Sequence, residues 1–244
     1  MIKLGMIGAN GKMGQRIIAL AKENLAVTIT GKIDLNSPDT LESCIDNVDV
    51  FIDFSKPEVT IANLKTIKLK NKALVIGTTG FSIEEIKSLK DVAQTIPIIL
   101  SPNMSLGVNV FFKLVEQAAK YLNDYDTELI ELHHNKKKDA PSGTAVKIAN
   151  IVSEATGKNH EDWVYGREGI VGERTNSEIG IHAIRLGDVV GEHSLYFAGN
   201  SERIEITHRA HTRDNFAKGA IRAAIWLQSK KSGIYDMFDV LGLK

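Results

Sequence analysis

The first 34 residues constrain this chain more than any other stretch. Ile2–Ile7 reads as a buried strand, apolar but for Lys3, and Gly8-Ala-Asn-Gly-Lys-Met-Gly14 follows it at once. From Gln15 the apolar residues recur at helical spacing, and a second strand-like run from Ala26 to Ile33 ends at Asp34. A strand, a glycine turn, a helix and a second strand form a βαβ unit, which commits the chain to a parallel sheet. Glycines in the turn let backbone approach a pyrophosphate, the helix start offers N–H groups, and the acid can accept from ribose hydroxyls. The spacing is G-x-x-G-x-x-G, with Asn10 where the usual fingerprint has its second glycine, so the motif draws its weight from the strand, helix and acid around it. A tight strand–helix packing turn is the bland alternative. A phosphate-binding P-loop does not fit, because Met13 follows Lys12 where Ser or Thr is required.

The alternation continues. Strands are expected at Val48–Ser55, from Ala73 into Gly77-Thr-Thr-Gly80, and at Ile96–Leu100 before Ser101-Pro-Asn-Met104. Helices are expected from Pro57 to Leu69 and from about Ser82. Repeated βα units give a doubly wound parallel sheet, whose ligands lie at the carboxyl ends of the strands. That makes Gly8, Ala9, Asn10, Gly11, Lys12, Met13, Asp34, Gly77, Thr78, Thr79, Ser101, Pro102, Asn103 and Met104 the candidate cofactor residues. Ordinary turn chemistry explains the last two clusters equally well. Asp34 would repel a ribose 2′-phosphate and Leu35 supplies no arginine, whereas Lys12 and Lys32 would attract one. NADH is therefore expected to serve, with NADPH as well.

A helix at about Leu106–Leu122 is expected to open a second, β-rich region. Ile179–Leu186, Val190–Ala198 and Glu202–Ala210 alternate with period two and are separated by glycine turns, as in an antiparallel or mixed sheet. Gly166–Arg174 reads as a long loop. Asn215–Leu227 reads as an apolar helix that returns to the first domain. The expected architecture is α/β: a Rossmann-type domain over 1–105, completed by 214–244, with an inserted α+β domain over 106–213.

Between them lies Glu131-Leu-His-His-Asn-Lys-Lys-Lys-Asp-Ala-Pro-Ser-Gly-Thr144, where a strand runs through a cationic loop into a helix. Proton donors, cations and backbone N–H groups converge there, which suits a small anion undergoing chemistry. A run of lysines is more commonly a solvated charge cluster, but such a face has no need of the adjoining Pro-Ser-Gly-Thr turn. His182, His193, His208 and His211 read as structural or interface residues, and no spacing suggests a metal site.

Lys+Arg and Asp+Glu both total 30, so no basic field invites nucleic acid or anionic membrane. The lone Cys44 fits a reducing, cytoplasmic setting. It lies in an acidic segment without a partnered histidine, which argues against a thiol-dependent semialdehyde dehydrogenase. A dinucleotide-sensing regulator would want a helix-turn-helix or a basic face, and neither is present.

Glu131–Ala145, Ile181–His193 and Phe216–Leu227 together resemble the dihydrodipicolinate reductase family along essentially the whole chain. The resemblance implies reduction of a cyclic, unsaturated dicarboxylate by NADH or NADPH in the diaminopimelate route to lysine. It implies that His133 and Lys137 are proton donors, that His134 contacts substrate, and that Ser142, Gly143 and Thr144 bind a carboxylate at the helix start. It also implies a homotetramer joined through the sheets of the second domain. Leu35 replaces the arginine that some members carry after the ribose-binding acid.

Overall fold

A computed structural model describes residues 1–244, which divide into two compact units. The first comprises Met1–Leu106 and Arg213–Lys244, the second Gly107–Thr212.

In the first unit β1 (Ile2–Ile7), β2 (Val27–Ile33), β3 (Val50–Asp53), β4 (Ala73–Ile76) and β5 (Pro97–Leu100) alternate with α1 (Lys12–Ala21), α2 (Leu41–Cys44), α3 (Pro57–Leu69) and α4 (Ile83–Ala93). The sheet order is β11-β5-β4-β3-β1-β2, all parallel, with β11 (Gly233–Tyr235) added beside β5. This is the doubly wound, Rossmann-type sheet that the alternation predicts. Every residue of β3 and β4 is buried, which is why both are apolar apart from Asp53 at the end of β3. Ser82 caps α4 and Glu85 returns the bond to its backbone, so that helix begins where its polar signature predicts. The glycine turn ends sooner than the sequence suggests, because α1 starts at Lys12 rather than Gln15.

The C-terminal helix, α7 (Asp214–Leu227), buries Ala217, Ala220, Ile221, Ala223, Ala224 and Leu227 in one cluster with Leu4, Met6 and Ile52. Alanines let it approach the sheet closely, and α8 (Met237–Leu241) adds Met237 to the same core. The strand β11, the short helix α2 and α8 have no counterpart in the sequence reading.

The second unit is built on a mixed sheet ordered β10-β9-β6-β8-β7. Its strands are β6 (Asp126–His133), β7 (Trp163–Tyr165), β8 (Ile179–Arg185), β9 (Gly191–Ala198) and β10 (Arg203–Ala210). The central β6 runs antiparallel to β9 and parallel to β8. The unit also holds α5 (Leu106–Tyr121), apart from its first residue, and α6 (Gly143–Thr156). Alternation sends Leu129, Ile181, Leu195 and Phe197 to one fully buried face. The expected loop at Gly166–Arg174 is irregular, but it is not loose. Arg167 and Arg174 reach Glu128, Glu178 and Asp126 and tie it to the strands. No helix is long and apolar enough to cross a membrane.

Candidate active site

At the carboxyl end of β1, Gly8 adopts φ +83°, and a Cβ there would lie 2.5 Å from the Phe54 carbonyl oxygen. A Cβ on Gly14 would sit 2.1 Å from the Gly8 carbonyl oxygen. Both glycines are thus forced by backbone pressed on backbone. The turn is pinned from the end of β2: Asp34 accepts from the N–H of Asn10 at 2.8 Å and of Leu35 at 2.7 Å. One bond to each carboxylate oxygen leaves each a further acceptor position for a ribose hydroxyl. Gly11 heads α1 with no side-chain cap, so the first-turn N–H groups have no side-chain partner. An uncapped helix start beside a turn that excludes a side chain at Gly8 and Gly14 fits a dinucleotide's pyrophosphate.

The other candidate cofactor residues divide. Gly77 is half-buried with its Cα facing the Phe54 ring, while Thr79 and Pro102 are exposed and Asn103 half-buried. Thr78 is buried: its hydroxyl donates to Asp53 Oδ1 at 3.1 Å and accepts from the Ser55 N–H at 3.0 Å. Ser101 is buried with its hydroxyl on the Asn103 carbonyl, and Met104 belongs to the core. The side chains of these three are therefore turned into the fold, the Ser101 N–H donates to the Ile76 carbonyl at 3.2 Å, and the Met104 carbonyl lies against Gly219 of the last long helix. Asp53 is fully buried and its Oδ2 has no partner. Burial raises its pKa against the hydrogen bonds that Ser55 and Thr78 give to Oδ1.

In the second unit the candidate residues gather at the end of β6. Glu131 and His133 alternate onto the same face, and His133 Nδ1 bonds Glu131 Oε2. Glu131 is fully buried, yet it remains anionic. Burial would raise its pKa, but the bonds from His133, from Arg185 (2.7 and 2.9 Å) and from the Ser142 N–H (3.0 Å) hold it down to about 2. His134 starts the loop and stands half-buried, with an unpartnered Nδ1. Of the three lysines only Lys137 is drawn inward, with Nζ 2.9 Å from Asp139 Oδ2; Lys136 and Lys138 are exposed.

Ser142 is the N-cap of α6, its Oγ accepting from the Ala145 N–H at 3.2 Å. Gly143 occupies the first helical position, exposed, with open space where a Cβ would point, and Thr144 follows half-buried. The Ser142 hydroxyl also meets His193 Nε2 at 3.1 Å, and the His193 ring packs edge-on to His133 at 5.2 Å between centroids. The structure therefore brings His133, Lys137, Ser142, Gly143 and Thr144 into one strand–loop–helix corner, with His134 on its rim.

Sequence reasoning missed Glu131, Arg185 and His193. His193 was read as structural because its alternation shows only which face it takes, not which residues it meets there. It faces Glu131 across the β6–β9 ladder and His208 across β9–β10. Polar residues at 131, 133, 185 and 193, on strands that pair in one sheet and share a face, are the signal that could have found the cluster.

Burial, then the charge of His133, lower the His193 pKa to about 3. The sign of its stability effect is fixed. Between its ordinary 6.5 and about 3 the unfolded chain takes a proton that the folded chain refuses, so stability falls as pH drops through that window. Glu131 adds a further loss between 4.5 and about 2. A His193→Gln variant is expected to lose roughly 1–3 kcal/mol less than wild type on acidification from pH 6.5 to 4.5, measured by chemical denaturation. Parallel losses in the two proteins would show that His193 does not carry the acid sensitivity.

The family model described as the N-terminus of dihydrodipicolinate reductase matches residues 2–104, and the one for its C-terminus matches 107–241. Proteins named 4-hydroxy-tetrahydrodipicolinate reductase from Geobacter metallireducens and Geobacter sulfurreducens are each 48% identical over the full length of both chains. A solved dipicolinate-bound dihydrodipicolinate reductase from Paenisporosarcina sp. TG-14 superposes with a TM-score of 0.79 at 27% identity, covering 98% of each chain.

Proposed function

The chain belongs to the dihydrodipicolinate reductase family, and from that premise we propose how its residues divide the work. It is an oxidoreductase that reduces 4-hydroxy-tetrahydrodipicolinate to tetrahydrodipicolinate with NAD(P)H, in the diaminopimelate route to lysine. The observation that carries the assignment of roles is the corner at the end of β6, where an imidazole, an inward ammonium and a helix N-terminus meet.

The reduced nicotinamide supplies a hydride. The first unit holds the dinucleotide, its pyrophosphate on the Gly8–Met13 turn and the start of α1, with Asp34 on a ribose. Gly77–Thr79 and Ser101–Met104 flank it through backbone and through the exposed Thr79 and Pro102. In the second unit, the start of α6 at Ser142, Gly143 and Thr144 binds one substrate carboxylate through N–H groups and the helix dipole. His134 contacts the same anion. Loss of water from the 4-hydroxy substrate gives a ring double bond conjugated with the imine; hydride adds to it, and the electron density left behind must take up a proton. His133 and Lys137 supply it, and the Lys137 ammonium also offsets the substrate's negative charge.

The second unit's sheet leaves its other face only half covered, with Ile130, Leu132 and Tyr196 half-buried and Ile184 exposed. That face supports a homotetramer joined through it, and the lone, buried free thiol of Cys44 supports a cytoplasmic setting; sedimentation as a monomer at assay concentrations would remove this assembly. The catalytic reading is tested by following nicotinamide oxidation with substrate made in situ from pyruvate and aspartate semialdehyde. Oxidation of NADH, with NADPH also accepted, is expected only when substrate is present. Tight NADH binding without oxidation would reject it.

A further inference from the structure

Glu131 has more partners than a structural ion pair requires. A buried carboxylate needs a counter-charge, and the two-pronged contact from Arg185 provides one. Yet all four acceptor positions are filled: Oε1 by Ser142 N–H and Arg185, Oε2 by Arg185 and His133 Nδ1. Arg185 stands beside His133, not Glu131, in the β6–β8 ladder, and reaches back along the strand to the carboxylate. Its second amino group also donates to the Asp139 carbonyl at 2.8 Å, which fixes the loop bearing Lys137.

With Nδ1 committed to Glu131, the His133 ring is held with Nε2 over Gly191, where a Cβ would approach it to 3.0 Å. Any larger residue at 191 would crowd the one nitrogen left for proton transfer. The charged and titratable groups around this imidazole come from every neighbouring element. They are Glu131 on β6, Arg185 on β8, His193 on β9 with His208 behind it on β10, and Lys137 with Asp139 in the loop.

We infer that Glu131 and Arg185 are opposed positioning residues that set when His133 carries its proton. Glu131 fixes the Nδ1–H tautomer and stabilises the imidazolium. Arg185 shares the same carboxylate and limits that stabilisation, so the donor stays able to release its proton. This inference rests on His133 being a proton donor, as proposed above.

The two residues predict shifts of opposite sign, which general loosening of the fold would not produce. In the kcat–pH profile, Glu131→Gln should move the basic limb down by about one unit or more, because an anion near the imidazole is lost. Arg185→Met should move it up by a similar amount, and Arg185→Lys, which keeps a cation, should return it close to wild type. The same variants are titrated by NMR on nitrogen-labelled histidines, with the His133 signal assigned by its absence in His133→Gln. Should Glu131→Gln fold too poorly to study, the upward displacement in Arg185→Met and its return in Arg185→Lys carry the test. A signal that stays put, or moves the same way in both variants, overturns it. The two readings also separate. If His133→Gln keeps wild-type kcat while the signal moves in opposite directions, the donor role falls and the charge pair stands. If His133→Gln is inactive and the signal does not move, the reverse holds.

Discussion

Replacing Lys137 by alanine is expected to lower kcat by about two to four orders of magnitude, the range removed with a positioned proton donor. The three adjacent lysines differ only in placement. Lys136 and Lys138 face solvent, whereas the Lys137 side chain is four-fifths buried and directed by Asp139. Folding should be untouched. The pair with Asp139 is partly solvated, its carboxylate held below the usual range by Lys137, and such surface pairs contribute on the order of 0–1 kcal/mol. NADH affinity should also be preserved, since every residue proposed to hold the dinucleotide lies in the other unit. Steady-state kinetics, a thermal melt and an NADH titration check the three statements together, with Lys136→Ala as the control that should stay near wild type. A Lys137→Ala enzyme within a few-fold of wild-type kcat would take Lys137 out of the proton transfer.

The second large effect is on His133. Glutamine preserves a polar group opposite Glu131 but cannot exchange a proton near neutral pH, so His133→Gln should lower kcat by about two orders of magnitude or more. The Kd for NADH should change little. A loss confined to kcat separates a proton donor from a residue that merely shapes the unit, because misplacement of the α6 start would raise KM as well. Unchanged kcat would reject His133 as donor.

The parallel sheet was legible because its signals are local. Gly8 follows β1 directly, Pro57 opens α3, and Ser82 with Glu85 marks the start of α4. The mixed sheet was legible from the period-two strands around His182, Leu195 and Ile206. What escaped was set by partners distant in sequence. Gly233–Tyr235 is only three residues long, too short for any periodicity, and is a strand because β5 presents an edge for it. Trp163–Tyr165 pairs with β8 for the same reason. Thr78 was expected among open cofactor contacts, but the buried Asp53 turns its hydroxyl inward, and that carboxylate's need for donors is invisible from the turn alone. The candidate site divides along the same line. Its donors and helix start lie within fourteen contiguous residues, Glu131–Thr144, and stood out at once. Arg185 and His193 reach the same corner only through the β6–β8 and β6–β9 registers, which no single stretch of sequence reveals.

The central claim is that reduction at this site draws its proton from the corner formed by His133 and Lys137. Its most direct test is the double variant His133→Gln/Lys137→Ala in the coupled oxidation assay, beside wild type and with NADH binding measured on the same preparations. Wild type should oxidise the cofactor only with substrate present, and the double variant should bind NADH normally yet show no oxidation above the uncatalysed rate. A double variant that turns over at near wild-type speed would place the proton source elsewhere and contradict the account.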